Sequence, residues 1–321
     1  MADYKEIKGF NVQTFSSDPT TIKGQLFYNS SQASLKGVIG SGAWASGGNI
    51  NTAKATIGVG ATQNAAIIIA GNKSPGYVLV KETEEYNGST WTEVGDLSEE
   101  VTYNAAAGTS TSAVSFGGQQ PSQTGQTEEW NGTSWTTSPG SMTLSRIYRF
   151  GFGTLTAAVA AGGSPPQTPA TEEYDGSTWS TSPGTLGTGR YNGGSTGTLT
   201  AGLVFGGIDP SAPNALVEEY DGLSWTSATV LLSARHAVKG FGIQTATTTI
   251  GQGIPYGAVS YQYDGSAWST NASIATARSM QGGTAGTAAT GLGAGGYGPA
   301  WFNNTEEFTG TATAEVVSSS T

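Results

Sequence analysis

The sequence predicts an all-β fold, a six-bladed β-propeller of four-stranded blades closed by an N-terminal strand, with a short N-terminal extension. Three observations predict it. An aromatic-marked segment recurs five times and a sixth time in degenerate form. Its tryptophans, counted from Trp44, are spaced by 47, 44, 44, 46 and 43 residues. Incomplete copies stand at both ends of the chain, as a ring sealed by its own start requires.

The five full copies are EEYNGSTW (Glu84 to Trp91), EEWNGTSW (Glu128 to Trp135), EEYDGSTW (Glu172 to Trp179), EEYDGLSW (Glu218 to Trp225) and YQYDGSAW (Tyr261 to Trp268). The sixth, EEFTGTAT from Glu306, keeps Phe308 and Gly310 but has Thr313 in place of the tryptophan. An Asn-Gly or Asp-Gly pair between strand residues predicts a tight two-residue type I′ hairpin. Tyr86 and Trp91 then fall on two antiparallel strands. Trp91, Trp135, Trp179, Trp225 and Trp268, with Trp44, mark the outermost strands.

About twenty residues before each hairpin stands an apolar strand ending in glycine: IIIAGN, VSFGG, VAAGG, LVFGG, TTTIGQG and TGLGAGG. Before that comes a strand of small residues around turns at Gly108, Gly153 and Gly197. Small inner strands suit sheets that crowd toward an axis, and bulky outer strands fill the widening gaps between them. The last repeat lacks its tryptophan strand, and Trp44 lacks partners of its own. Pairing Trp44 with the strand around Phe308 completes the sixth blade and removes two open edges. The propeller is expected over residues 36–321, with residues 1–35 as a separate attachment or oligomerisation segment.

These marks resemble the kelch repeat, a glycine doublet followed by Tyr and then Trp, over about residues 40 to 312. The matching doublets are Gly117-Gly118, Gly162-Gly163, Gly206-Gly207 and Gly295-Gly296. Departures are Gly71-Asn72, Gly251-Gln252-Gly253 and the missing last tryptophan.

Composition narrows the function. The chain has 321 residues, 49 Gly, 10% aromatics and only 11% charged residues, a packed β protein rather than a disordered polyelectrolyte. Its net charge of −10, without clustered Lys or Arg, argues against nucleic acid and anionic membrane surfaces as partners. No run approaches the roughly 18 apolar residues of a membrane span. The start, MADYKEIKGFNVQTF, has no apolar core of signal-peptide length, so export by a cleaved leader is not expected.

Candidate chemistry is sparse. Adjacent glutamates on a strand point to opposite faces, and these recur from copy to copy, unlike a single active site. Arg146, Arg190, Arg235 and Arg278 follow a tryptophan by ten or eleven residues, with Lys54 in step. A repeated blade-to-blade Arg–Glu pair accounts for both sets. Galactose-oxidase relatives share the kelch-like ring, but their copper site needs two imidazoles and a Tyr–Cys link. Here His236 is the only histidine and there is no cysteine, so no metal and no cofactor is expected. DGSTW is similar to the sialidase Asp box but one residue short, and only Arg149 falls outside the repeating arginines. No GxSxG, Walker or HExxH motif is present. No catalytic residue is assigned, and Asp209 is the one carboxylate singled out on the variable loops.

What varies between copies is the loop joining the second and third strands. Such loops share a ring face with the blade-to-blade connections, opposite the Asn-Gly hairpins. A fixed scaffold with one variable loop face is arranged for recognition. Tyr77, Tyr256, Tyr297, Trp301 and Phe302 place aromatics there, suited to sugar rings or a protein anchor. The plainer reading has them folding back to seal the blades.

GQLFYNSSQASLKGV, within the first 38 residues, resembles short hairpin modules of bacteriophage fibre and other virion proteins. The Ser/Thr/Gly-rich, cysteine-free propeller is also similar to kelch-like proteins encoded by phages. The resemblance implies a virion surface protein, a fibre, spike or capsid or tail decoration. Residues 1–35 would join other virion proteins or further copies, and the propeller would bind host-surface glycan or protein. The alternatives are an intracellular kelch-like interaction scaffold and a glycan-degrading propeller enzyme.

Overall fold

A computed structural model describes residues 6–7, 10–11, 13–16, 26–31, 34–73, 75–280 and 282–316, and every regular element among them is a strand. The chain divides into two compact units, Trp44–Phe308 and a second made of Met1–Ala43 with Thr309–Thr321. The expected boundary after residue 35 falls inside the strand Ser34–Ser46.

In the smaller unit, Leu26–Asn29 pairs antiparallel with the start of Ser34–Ser46, Leu26 opposite Gly37 and Asn29 opposite Ser34. Leu26–Asn29, within the GQLFYNS segment, is thus one strand of an antiparallel pair. Gln13–Phe15 adds to it in parallel, and the Ser30 amide donates to the Phe15 carbonyl at 2.8 Å.

The larger unit is a six-bladed β-propeller. Blade 1 is an antiparallel sheet in chain order, Lys54–Thr62, Ala65–Lys73, Val78–Tyr86 and Trp91–Glu93. Blades 2 to 5 repeat it, starting at Ala105, Phe150, Gly194 and Lys239. Blade 6 has Gly283–Thr287, Thr290–Ala294 and the start of Thr305–Val316, and its fourth strand is the end of Ser34–Ser46. The seam is bonded: Gly47 N–H donates to Thr305 O and Ile50 N–H to Asn303 O, both at 2.9 Å. The Trp44 and Phe308 rings lie 5.0 Å apart, the closure expected from the sequence.

The innermost strands are small because they nearly touch. A Cβ on Gly58 of blade 1 would stand 2.6 Å from the Gly283 Cα of blade 6, too close for any side chain. Farther out the gaps hold large residues, such as Phe116 against Trp179 and Phe205 against Trp268.

The hairpins differ from the type I′ expectation. Tyr86 pairs with Trp91 across a four-residue loop, and only the glycine of each Asn/Asp-Gly pair has positive φ. The side chain at the first position organises the loop instead. Asn87 Oδ1 accepts from the Ser89 and Thr90 amides at 3.0 and 2.9 Å, and Asp175 Oδ1 from Ser177 and Thr178 at 2.8 and 2.7 Å. Such Asx turns compete successfully with the two-residue geometry.

Three polar ties join neighbouring blades. Each marked tryptophan donates its indole N–H to the preceding blade or the connector after it. Trp91, Trp135, Trp179 and Trp225 reach Thr305, Thr83, Thr127 and Thr171 Oγ1, all at 2.9 Å. The series breaks at two tryptophans, where Val217 and Ser260 replace the threonine; Trp268 and Trp44 then donate to the Thr229 and Ala272 carbonyls. In the second tie, a tyrosine hydroxyl donates to the second glutamate of the previous blade. Tyr86 reaches Glu307 at 2.5 Å, Tyr174 reaches Glu129, Tyr220 reaches Glu173, and Tyr263 reaches Glu219 at 2.9 Å. Burial, together with the carboxylate, pushes the Tyr86 and Tyr174 hydroxyls up to about 12.

The third tie runs through the connectors. The Arg190 carbonyl accepts from the blade 3 doublet at Gly163, while its guanidinium pairs with Glu218 of blade 4. Lys54–Glu84 at 2.9 Å, Arg146–Glu172 at 3.3 Å and Arg278–Glu306 at 2.8 Å repeat the pair, all nearly fully buried. The expected repeat of Arg–Glu pairs is present, but each pair joins a connector cation to the blade it leads into rather than two blades; the link to the previous blade is the cation's backbone carbonyl. Two copies deviate. Arg235 lies 3.9 Å from the ring of Tyr261, which replaces the glutamate. Val101 stands at the cation's place, and Glu128 accepts from Ser98 N and Oγ, both at 2.9 Å.

Burial lowers the Arg190 pKa, with Glu218 opposing the shift. Removing one partner of such a pair strands the other charge. Glu218→Ala should therefore destabilise by about 3–5 kcal/mol in denaturant melts, and Arg190→Met/Glu218→Leu by much less. A second outcome concerns the hairpins. The Thr178 and Ser177 amides hold Asp175 at about 2, below its usual 3.8. A depressed carboxylate contributes stability that is full above the unfolded value and is lost as pH falls through the folded one. Asp175→Asn, which copies Asn87 and Asn131, should leave the melting temperature at pH 7 nearly unchanged and flatten its decline between about pH 4 and 2.

Candidate binding site

Antiparallel strands put the loops between second and third strands at the same end of each blade as the connectors. Side chains from both sets meet there in a cleft of about 200 Å³ near the propeller axis. Tyr77 on the blade 1 loop, Tyr256 on the blade 5 loop, and Tyr297 and Trp301 on the blade 6 loop all line it. They form one chain of edge-to-face contacts. Tyr77 and Trp301 have ring centroids 5.4 Å apart, Trp301 and Tyr297 5.0 Å, and Tyr297 and Tyr256 5.9 Å. Such contacts hold rings rigid while leaving faces open. Tyr77 is 59% exposed and the others are half-buried.

Local structure explains their placement. Tyr297 bridges to Ser279 on one side and Trp301 on the other, closing the loop over Gly298-Pro299-Ala300. The Gly298 amide donates to the Ala300 carbonyl at 2.9 Å, which turns Trp301 back toward Tyr297. Phe302 does not line the cleft. Its ring packs 5.8 Å from the guanidinium of Arg278, the connector cation paired with Glu306.

The other wall was not singled out from the sequence. Tyr103, Tyr148, Asn192 and Ala237 each stand two residues before an innermost strand, and all take left-handed backbone with φ between 51° and 59°. That conformation is costly for residues other than glycine, by about 1–3 kcal/mol each. Here it swings side chains over the axis. Tyr103 and Tyr148 have centroids 4.2 Å apart, and Tyr148 and Tyr191 6.1 Å. The available signal was position, two residues after each connector cation or its replacement, with Tyr in two of the copies. His236 also lines the cleft, its Nδ1 buried without a hydrogen-bond partner, and burial lowers its pKa.

The lining offers aromatic faces, an amide, phenolic hydroxyls and the His236 imidazole, and it carries no Asp or Glu. Asp209 is apart from it, accepting from Gln167 at 2.7 Å. Among the described residues no group of three or more His, Asp or Glu is placed to hold a metal ion. No helix is long and apolar enough to cross a membrane, again among the described residues. Compared with known proteins, the chain matches no family model and no curated protein.

Proposed function

We propose that this chain is a kelch-like propeller of a bacteriophage virion, a fibre, spike or decoration protein, whose loop face binds host-surface glycan. The observation that carries the binding reading is the continuous chain Tyr77–Trp301–Tyr297–Tyr256, bordered by Tyr103, Tyr148 and Asn192. Aromatic faces stack on the C–H faces of sugars, and phenol and amide groups orient hydroxyls. A protein partner would favour a flatter apolar patch, whereas these rings border a concave cleft. The virion setting rests on the likeness of GQLFYNSSQASLKGV to phage hairpin modules. In this reading residues 1–35 join the chain to other virion proteins and the propeller is displayed. The function is adhesion, without a reaction.

Tyr297→Ala and Trp301→Ala should each weaken binding of the best ligand on a glycan array by about tenfold, ~1.4 kcal/mol. Phe302→Ala, behind the cleft, should cost stability instead. Unchanged glycan binding in both cleft variants would contradict the reading. Deleting residues 1–35 should abolish incorporation into particles, measured by mass spectrometry of purified virions, and leave glycan binding intact.

A further inference from the structure

The axis of the propeller carries two cations that no carboxylate answers. Arg149 immediately precedes the innermost strand of blade 3, and Lys239 begins that of blade 5. Both line two cavities that follow the innermost strands, and neither cavity has Asp or Glu on its wall. One of them shares Tyr103, Tyr148 and Asn192 with the aromatic cleft. We propose that this axial chamber is an anion site, in which Arg149 and Lys239 hold a small oxyanion, a carboxylate or phosphate group.

Arg149 is 3% exposed. Its Nη1 donates to the Phe116 carbonyl at 2.7 Å, but Nε and Nη2 are buried without partners. Those two nitrogens form the edge of a guanidinium that grips an oxyanion by two parallel hydrogen bonds. The pocket for the head is built. A Cβ at Gly117 would lie 1.7 Å from Nη1, so that position admits the guanidinium only as glycine. Lys239 Nζ has neither a hydrogen bond nor an ion pair among the described residues. Burial alone pulls Lys239 down to about 8, and burial with repulsion from Arg146 pulls Arg149 to about 9. The carboxylate that partly offsets this at Arg149 is Glu172, which is already engaged by Arg146 and by Thr143.

An unpaired buried cation is expensive, and Arg149 is one; Lys239, half-buried, lines the same two cavities, and in a chain of net charge −10 the placing of both there stands out. A bound anion supplies the missing counter-charge. Size sets its class. The chamber beside Tyr103 and Tyr148 holds about 40 Å³. One water needs about 10–15 Å³ on that measure, so an oxyanion head fits and a sugar ring does not. The head can come from a free ion or from the acidic group of a saccharide held in the aromatic cleft.

The test uses the full chain. Phosphate and acetate are titrated calorimetrically, and thermal melts are run in each salt and in chloride at matched ionic strength. The site predicts saturable phosphate or acetate binding, one ion per chain, and a melting temperature raised by at least about 2–4 °C over chloride at saturation. Lys239→Met should lose this shift and melt in chloride no lower than the parent. A glucuronic acid oligosaccharide separates the two sources. If the head belongs to a glycan, Lys239→Met weakens its binding about tenfold and spares neutral oligosaccharides. If the ion is free, both saccharides bind Lys239→Met as they bind the parent. Equal melting in all three salts with no saturable heat would overturn the proposal, as would a Lys239→Met protein that keeps the oxyanion shift. An oxyanion shift with no saccharide binding would leave the site standing and remove only the glycan reading.

Discussion

A propeller is a ring of sheets, and it stands or falls on how the last sheet is completed. Here the blade 6 sheet is three strands from the end of the chain plus one from its beginning, which brings Trp44 to Phe308. Without that strand, blade 6 would expose an unpaired edge and the blade 5 connector would lose the Trp44 indole bond to Ala272. Blade 1 leans on the same seam, because the Tyr86 hydroxyl accepts from the Gly48 amide just after that strand and donates to Glu307 of blade 6, while Trp91 donates to Thr305. The seam thus carries the same tie types as the interfaces within the chain.

The ties also explain the odd composition. The charged residues are few, and many of them are structural. In each of four copies the first glutamate holds a connector cation and the second accepts from the next blade's tyrosine, where one is present. Substitutions travel together. Phe308, without a hydroxyl, follows Gln262 in the previous blade, where the other copies have glutamate. Tyr261 replaces the glutamate and receives Arg235 on its ring face. Arg149 and Lys239 belong to neither set, and that separates them from the scaffold.

Much of this was legible in the sequence because repetition multiplies the signal. The six tryptophans, the glycine doublets and the worn copies at both ends gave blade number, strand order and closure. The hairpin type was misread because an Asn-Gly or Asp-Gly pair suits two geometries. The backbone amides two and three residues on bond the Asx oxygen whatever side chains they carry, Leu223 and Ala267 included, and this selects the four-residue loop. Four of the five aromatics chosen from the variable loops meet in one cleft, since loop identity decides which end of a blade a residue reaches. Phe302 shows the limit: one residue beyond Trp301, it turns inward onto Arg278. Tyr103, Tyr148 and Asn192 escaped notice because their position matters through a left-handed backbone, which a mixed set of Tyr, Asn and Ala does not announce.

Closure by the chain's beginning is the claim on which blade numbering, loop face and cleft all rest. Amide hydrogen exchange at Gly47 and Ile50 tests it most directly, because their N–H groups donate to Thr305 and Asn303 across the seam. Protection at both sites equal to that of the blade 3 core around Val159 is the result expected of a sealed ring. Exchange at the rate of an unstructured segment, with Val159 still protected, would mean that the sixth blade is not completed from residue 44.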